Sequence, residues 1–311
     1  MKTFVPDYYK DFCCIADKCN HSCCIGWEID IDSKTLEYYK SVGGEMGKRL
    51  KDNISKDKEP HFVLTQGERC PFLNSCNLCD IYTELGEEHL CQICSDHPRF
   101  RNFFDSRTEI GLGMCCEAAA ELILKREEKM TLAEYESGKD AVTKKEDVFF
   151  NMRQKAFDIL QDRKKPFDKR IAKLRKEFEI PKSERSFKEW ADFYMTLENL
   201  DPKWIELVEN SKAKNNPADK IFEDKQWQTA FEQLAVYFVF RHTPDAVYEN
   251  NFQVRLAFAL LSTEFVIHLC SCRDEVSIAS FADTARMYSS EIEYSEENID
   301  ELLFELENEL I

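Results

Sequence analysis

The stretch CCIADKCNHSCCIGW (Cys13–Trp27) holds five of the chain's 14 cysteines within twelve positions. Twelve of the 14 lie before residue 117, and only two follow it. Cysteines that act only as small hydrophobic core residues are expected to scatter through a fold rather than cluster in polar loops. The distribution therefore predicts a cysteine-rich N-terminal domain at 1–130 and a separate C-terminal domain at 131–311.

The composition predicts a globular protein of the cytoplasm. Hydrophobic residues make up 43% of the 311 positions and charged residues 32%. The N-terminal sequence MKTFVPDYYKD lacks the features of a secretory signal, and the longest apolar run, Leu256–Leu269, is shorter than a bilayer span. A net charge of −17 argues against non-specific nucleic-acid binding. We therefore expect no nucleic-acid or membrane partner, and reduced cysteines rather than disulfides.

Helical periodicity dominates the chain after about residue 142. Apolar residues recur at three- and four-residue steps from Val148 to Leu160. From Glu291 onward there are nine acidic residues and no basic one, which favours a solvated helix face. The expected C-terminal domain is all-α, since no alternating pattern is long enough for a large sheet. Similar helical periodicity runs through 186–211, 224–241, 246–272 and 276–310.

Shorter elements are expected in the cysteine-rich domain. A helix at 33–42 can be capped by Asp32 or Ser33, and another begins at Cys115 and continues into EAAAELILKREEK. The polar segment 43–60 is typical of an exposed loop or weak helix. In the C-terminal domain, Asn215–Asp219 (NNPAD) predicts a turn. The fold class is thus mainly α: a loop-rich metal-binding module packed on an all-α domain.

The spacing of the cysteines favours a metal centre. Two pairs, Cys76/Cys79 and Cys91/Cys94, have the two-residue gap that lets both sulfurs turn to one ion. Thiolates select zinc or iron–sulfur clusters over oxygen-preferring cations. The pattern for radical S-adenosylmethionine chemistry fails, because Gly26 stands where its third cysteine belongs. A purely structural metal site without chemistry remains an alternative.

Beyond the cysteines themselves, the chain resembles the bacterial flagellin lysine N-methylases and, more distantly, cysteine-cluster proteins of the zinc- or iron-chelating type. The resemblance is carried by CCIADKCNHSCCIGWEIDID, RCPFLNSCNLCDIYTELGEEHLC, QICSDHPRF and LGMCCEAAAELIL. It continues in the C-terminal half through YFVFRHTPDAVYENNFQVRLAFALLS and RMYSSEIEYSEENIDELL. The resemblance thus covers nearly the full chain.

The resemblance implies which cysteines are ligands. Cys76 lies outside the family's pattern, so the 76/79 pair is not implied to act together. Two other positions depart from the pattern: Ser290 stands where an arginine is expected, and Tyr294 where a histidine is expected. The nine matched cysteines are Cys14, Cys19, Cys23, Cys24, Cys70, Cys79, Cys91, Cys94 and Cys115.

The resemblance also implies an activity. It is the transfer of a methyl group from S-adenosylmethionine to lysine side chains of flagellin, by an enzyme with a cysteine-ligated iron–sulfur cluster. A [4Fe–4S] cluster is the first candidate and zinc the second. The alternative is a metal-chelating or metal-delivery protein without methyltransferase activity, and a third possibility is an interaction protein whose metal only folds the N-terminal module.

Candidate catalytic residues come from two regions. The first surrounds the cysteines and includes Tyr82, His97 and Arg99, of which His97 and Arg99 belong to the SDHPRF segment; Trp27, Glu28 and Asp96 lie in the same region. The second is the C-terminal helix region, where Glu291 and Glu293 match the family's pattern together with Arg241 and Asn298. Charged residues of this kind are usually solvent-facing, which is the alternative interpretation of the second region.

Overall fold

The computed structural model describes residues 1–139, 141–214 and 223–310, so the predicted turn at Asn215–Asp219 lies outside the described residues. Internal contacts divide the chain into two compact units. We call them the cysteine-rich unit (13–100 and 116–118) and the helical unit (1–12, 101–115 and 119–311). This division differs from the predicted boundary at 130, because the N-terminal residues and the segment 101–115 fold with the helices.

The cysteine-rich unit contains short helices joined by loops. Asp32 caps helix α1 (Ser33–Ser41): its carboxylate accepts a hydrogen bond from the Thr35 backbone N–H at 3.0 Å, so the predicted capping is confirmed. The segment predicted as a loop or weak helix instead contains a regular helix, α2, which buries Met46 and Leu50. The helices are α1 (Ser33–Ser41), α2 (Gly44–Asn53), α3 (Asp80–Leu85) and α4 (Gln92–Asp96).

A small hydrophobic core holds this unit together. Phe62 and Phe72 pack with their ring centroids 4.9 Å apart, and Tyr39 stacks on Phe62 at 6.1 Å. Burial of these rings and of the neighbouring aliphatic side chains is the main stabilising term for a unit with so little regular structure. The buried members are Ile29, Ile31, Tyr39, Met46, Leu50, Phe62, Cys70, Phe72, Ile81 and Cys91.

A four-stranded sheet brings together distant parts of the chain. Its strands are β1 (Lys2–Pro6), β2 (Arg99–Phe103), β3 (Arg107–Leu112) and β4 (Leu132–Glu136), in the order β2-β3-β1-β4. Strand β1 runs parallel to β3 and antiparallel to β4. The all-α expectation for 131–311 is therefore wrong at β4. Strands of five or six residues are too short to leave a clear alternating pattern in the sequence.

The mainly-α character of the chain is confirmed by the remaining helices. Thr143, Ser186 and Ser277 each begin a helix with a reciprocal capping box, which satisfies N–H groups that the first turn leaves free. The helices are α5 (Glu117–Leu124), α6 (Lys144–Leu160), α7 (Phe167–Glu177), α8 (Phe187–Tyr194), α9 (Pro202–Ser211), α10 (Lys225–His242), α11 (Ala246–Glu249), α12 (Phe252–Ser271), α13 (Ile278–Tyr288) and α14 (Glu296–Leu310).

Helix α12 is longer than the apolar run suggests. Within the described residues, α12 has the length and composition of a helix that could cross a membrane. Its mean hydropathy is 1.5 over 18 residues. Of that window, 78% is buried inside the structure, and the core helix of a water-soluble protein passes the same test. Burial, rather than insufficient length, is what favours a core helix here.

Buried ion pairs connect the helices of the helical unit. The Glu232 carboxylate on α10 accepts hydrogen bonds from Arg170 on α7 at 2.6 Å and from Arg163 at 2.8 Å. Glu232 and Arg170 are both buried. A buried carboxylate is tolerated only when cations and hydrogen-bond donors compensate for its lost hydration, and here two guanidinium groups do so.

Removing this carboxylate should strongly destabilise the protein. We expect Glu232→Ala to lower the free energy of unfolding by about 3–5 kcal/mol, because the Arg170 guanidinium is left buried without its partner. Denaturant unfolding followed by circular dichroism measures the change. The matched control is Glu177→Ala, which removes a carboxylate from the surface pair with Lys155 and should leave the midpoint almost unchanged. Equal effects of the two substitutions would contradict the importance of the buried cluster.

Candidate functional site

Five of the nine predicted ligand cysteines lie in one place, the core of the cysteine-rich unit. All 14 cysteines of the chain are free thiols. Cys70 and Cys91 are fully part of the core, and Cys24, Cys79 and Cys94 pack against it from partly buried positions. The backbone joins two of them directly, since the Cys70 N–H donates to the Cys24 carbonyl at 2.8 Å. We call these five residues the thiol core.

A hydrogen bond between two neighbouring thiols lowers the pKa of the acceptor and raises the pKa of the donor. Cys23 donates to Cys24, which lowers the pKa of Cys24 to about 7 and raises that of Cys23. In the same way Cys94 donates to Cys91, which lowers the pKa of Cys91 and raises that of Cys94. Burial raises the pKa of Cys70 to about 12. Cys24 and Cys91 are thus the thiols of the thiol core that lose their protons most readily. The thiolate is the form that binds metals.

The other predicted ligands lie outside the thiol core. Cys14 is exposed, and its sulfur accepts a hydrogen bond from the Ala16 N–H at 3.4 Å. The Cys19 thiol is 3.7 Å from the Glu117 carboxylate, to which it donates. Cys23 lies next to the thiol core, because its thiol donates a hydrogen bond to Cys24. Cys115 belongs to the helical unit. The sequence pattern groups these residues, but the structure assigns them different surroundings.

The chemistry of the thiol core suits a thiolate-ligated centre, because it offers several soft sulfur donors and an apolar shell. The side chains are not arranged as a finished ligand set, however. Within 1–139, 141–214 and 223–310, no group of three or more His, Cys, Asp or Glu side chains is placed so that it can hold a metal ion. A centre bound here therefore requires the thiols to turn towards one another.

The catalytic candidates of the cysteine-rich unit have distinct environments. His97 is half-buried, its ring lies 6.3 Å from that of Trp27, and burial together with Arg99 lowers the pKa of His97 to about 4. Arg99 donates to the Ser95 carbonyl at 3.1 Å, and Tyr82 is exposed. His97 is consequently an uncharged imidazole at neutral pH.

Glu293 lies at the centre of a buried polar network in the helical unit. Its carboxylate is 2.5 Å from His242 Nε2, 3.0 Å from the Tyr237 hydroxyl that donates to it, and 3.3 Å from Arg241 Nε. Arg241 and His242 hold the pKa of Glu293 down to about 2 in spite of its burial. The outer end of this network is Tyr294, whose hydroxyl hydrogen-bonds with the Cys115 thiol.

Glu291 and Asn298 form hydrogen bonds that connect the C-terminal segment to the residues around the start of α9. The Glu291 carboxylate accepts hydrogen bonds from the N–H groups of Leu200 and Asp201 at 2.8 and 3.0 Å, just before α9 begins. The Asn298 amide donates hydrogen bonds to the Glu291 carbonyl at 2.8 Å and to the Glu198 carbonyl at 3.0 Å. Its oxygen accepts a hydrogen bond from the Glu198 N–H at 3.0 Å. Glu291 and Glu293 are thus buried rather than on the solvated face expected for this acidic stretch.

Sequence reasoning missed Tyr237 and His242, two members of the Glu293 network. Both lie on α10, within four residues of Arg241, which the family pattern did mark. A buried tyrosine that donates to a carboxylate has no sequence signature, because the same residue in the same helical position is usually an ordinary core aromatic. The one available signal was the adjacent Arg241–His242 pair directly after the apolar run Leu234–Phe240.

Comparison with known proteins gives distant relatives. No family model and no solved structure matches the chain. It is 27% identical over 140 residues to the flagellar biosynthetic protein FliU of Salmonella muenchen, a match covering 42% of this chain and 82% of FliU. It is also 27% identical over 137 residues to the lysine-N-methylases of Salmonella choleraesuis and Salmonella typhimurium. Those matches cover 42% of this chain and only 34% of each relative. The similarity to a flagellar, lysine-methylase type of protein is therefore distant and partial.

The environment of His97 predicts a specific pH response. Because its pKa is about 4 in the folded protein and about 6.5 in an unfolded chain, acid favours unfolding between those values. His97 thus contributes stability that is present above pH 6.5 and is lost as the pH falls towards 4. We expect His97→Gln to reduce this loss by about 1–3 kcal/mol, measured by denaturant midpoints at pH 7 and pH 4.5.

Nuclear magnetic resonance gives an independent measurement on the metal-free protein. The imidazole signal that disappears in His97→Gln should not titrate between pH 8 and pH 5.5. A midpoint near 6.5 for that signal would contradict the burial of the ring.

Proposed function

We propose that this protein is an S-adenosylmethionine-dependent protein-lysine N-methyltransferase that acts on flagellin. The observation that carries the proposal is the 27% identity to two lysine-N-methylases and to a flagellar biosynthetic protein. The relatives' names supply the reaction, the lysine acceptor and the flagellar connection. The proposal includes a cytoplasmic location and no nucleic-acid or membrane partner, in keeping with the net charge of −17.

We further propose that the thiol core holds a cysteine-ligated centre, a [4Fe–4S] cluster in the first place and zinc in the second. Four of its five sulfurs suffice for either. Such a centre, when bound, supplies folding energy of about 10–16 kcal/mol in small zinc domains, and an iron–sulfur cluster adds the capacity to transfer electrons. Support comes from the packing of five cysteines in or against one core and from the lowered pKa values of Cys24 and Cys91.

The acceptor lysine sets a chemical requirement. Its ammonium group has a pKa near 10.4, so exposing the nitrogen lone pair at pH 7 costs about 4–5 kcal/mol. Transfer forms the N–C bond and breaks the S–C bond of the sulfonium, and the ammonium proton must leave before attack. Removing the lysine from water lowers its pKa and supplies part of this cost.

The side chains of the cysteine-rich unit suit the orientation of such a lysine. His97 is uncharged, so its ring can accept a hydrogen bond from the amine, although with a pKa of about 4 it is a weak base. The proton therefore leaves to water. Trp27 lies beside His97, and the face of its ring attracts a cation. We assign Arg99 and Tyr82 to positioning the lysine. We assign no catalytic role to Glu291 and Glu293, because their carboxylates already take part in structural hydrogen bonds.

One observation favours the alternative of a metal-chelating or metal-delivery protein. Thiols that are not needed for a single centre lie outside the thiol core, among them the exposed Cys14 and the partly buried Cys19. Exposed thiols next to a buried thiol core are suited to passing a metal ion by ligand exchange. In this alternative the metal is the cargo, and no methyl transfer occurs.

The metal proposal predicts which cysteines matter. In protein purified without oxygen, we expect Cys24→Ser and Cys94→Ser to reduce bound metal by about tenfold or more, because each removes a sulfur of the thiol core. The matched control is Cys76→Ser, which alters an exposed cysteine outside the family's pattern. Elemental analysis for iron and zinc, with acid-labile sulfide, measures the result and identifies the centre. An equal loss in the control would show that the thiol core is not the site.

The methyltransferase proposal predicts modified flagellin. Incubation of flagellin with S-adenosylmethionine and metal-loaded protein should add methyl increments at lysines, detected by intact-protein and peptide mass spectrometry. His97→Gln should slow the reaction by about tenfold or more, whereas Glu177→Ala should not. Protein that binds its metal and produces no methylated lysine would support the metal-delivery alternative instead.

A further inference from the structure

A histidine of the cysteine-rich unit faces two carboxylates at the surface. His61 Nε2 lies 3.4 Å from Glu28 Oε2 and 3.9 Å from Asp57 Oδ2. The side chain of His61 is 19% exposed, and those of Glu28 and Asp57 are 61% and 74% exposed. A small ion can therefore reach these three side chains from solvent. We call them the His61 cluster, and no cysteine belongs to it.

The hydrophobic core of the unit fixes the backbone that carries the His61 cluster. The Phe62 N–H donates to the Ile29 carbonyl at 3.0 Å, and both of these side chains are buried in the core. His61 directly precedes Phe62, and Glu28 directly precedes Ile29. Asp57 belongs to the exposed loop between α2 and His61. The ring and one carboxylate are thus held by the core, whereas the second carboxylate comes from a loop.

The second ring nitrogen of His61 determines what its Nε2 can hold. Nδ1 lies 3.1 Å from the Glu59 carbonyl, which can only accept a hydrogen bond, so Nδ1 carries a proton. In a neutral imidazole the lone pair is then on Nε2, where it faces the oxygens of Glu28 and Asp57. A lone pair and two carboxylates repel one another. The arrangement is favourable only with a cation at Nε2, which is either a second proton or a metal ion.

The distances in the His61 cluster favour the metal ion. Two ligand atoms bound to one tetrahedral zinc ion lie about 3.3–3.4 Å apart. The distance of 3.4 Å between His61 Nε2 and Glu28 Oε2 matches this separation, whereas a charge-assisted hydrogen bond is shorter, about 2.7–2.9 Å. The Asp57 oxygen, at 3.9 Å, is slightly too far, and the described residues contain no finished ligand set. Binding therefore requires the Asp57 side chain to turn inward, which its exposure permits.

We propose that the His61 cluster binds a divalent transition-metal ion, zinc in the first place, through His61 Nε2 and the carboxylates of Glu28 and Asp57. Imidazole and carboxylate are ligands that zinc accepts, and water completes the coordination. The Glu59 carbonyl orients the ring, since a histidine that binds a metal normally donates its other N–H to such an acceptor. The ion connects the Asp57 loop to the segment that carries Glu28. This site is separate from the thiol core and does not rest on the proposed methyltransferase function.

Titration of the full, reduced chain with zinc, followed by nuclear magnetic resonance of the histidine rings, tests the proposal. Thiols are the stronger zinc ligands and take up the first ions, so the His61 cluster should respond to zinc added after they are saturated. The His61 signal, identified by its absence in His61→Gln, should shift. In Glu28→Gln and in Asp57→Asn the same shift should require about tenfold more zinc or a larger excess, because each variant lacks one ligand.

His89 is the matched control within the same spectrum. It lies in the same unit and faces a single carboxylate, Glu88, at 3.9 Å, so its signal should shift only at higher zinc concentrations. A His61 signal that zinc does not move overturns the proposal and leaves His61 as an imidazolium in an ordinary surface ion pair. Equal responses of His61 and His89, or of the wild type and the two carboxylate variants, also overturn it, because they indicate general attraction of the ion to an acidic chain. Circular dichroism confirms that the variants are folded.

Discussion

The cysteine-rich unit depends on one small hydrophobic core, in which cysteines are buried beside aromatic and aliphatic side chains. Its helices are short, and its hydrophobic core is small. Cys70 and Cys91 occupy core positions alongside Phe62 and Phe72. Because a thiol is a small and weakly polar group, this core can form without a metal. The same sulfurs become donors once deprotonated, so packing and metal binding make use of one set of side chains.

The helical unit is held by a different constraint, the compensation of buried carboxylates. With a net charge of −17, the chain has many more acids than bases, yet some of its carboxylates are buried. Each of these lies against guanidinium or backbone donors: Glu109 against Arg153 at 2.6 Å, Glu293 against Arg241, and Glu291 against the start of α9. Each carboxylate needs these partners, since an uncompensated buried carboxylate is costly.

Much of the secondary structure could be predicted from the sequence, because it is encoded locally. The Asp32 cap and the periodicity from Val148 to Leu160 are short-range signals, and both correspond to helices. Helix α2 was harder to predict, since its glycines and charged residues outnumber the two side chains that it buries. The sheet was missed because β1 pairs with strands more than 100 residues away in the sequence, and no local pattern specifies such pairing.

The candidate site could be predicted only in part, for a similar reason. Cys24, Cys70 and Cys91 come from three separate groups of cysteines in the sequence, and they lie in or against one core. The sequence could not show that Cys19 differs from these residues. Cys19 lies in the same cysteine-rich stretch as Cys24, but its thiol donates a hydrogen bond to Glu117. Whether a thiol points into a core or towards a carboxylate depends on tertiary packing, which neighbours in sequence do not determine.

The two positions that depart from the pattern implied by the resemblance, Ser290 and Tyr294, lie close to Glu293 in the sequence. Ser290 is exposed, and Tyr294 is half-exposed with its ring 4.7 Å from the Arg241 guanidinium. The buried members, Arg241 and Glu293, keep the expected residue types. A buried ion pair cannot lose one partner without leaving the other uncompensated, whereas an exposed position accepts a different side chain at little cost in stability. Tyrosine at 294 retains contact with Arg241 through its ring, and its hydroxyl reaches Cys115. The departures therefore alter the accessible surface of the network and leave its structural centre intact.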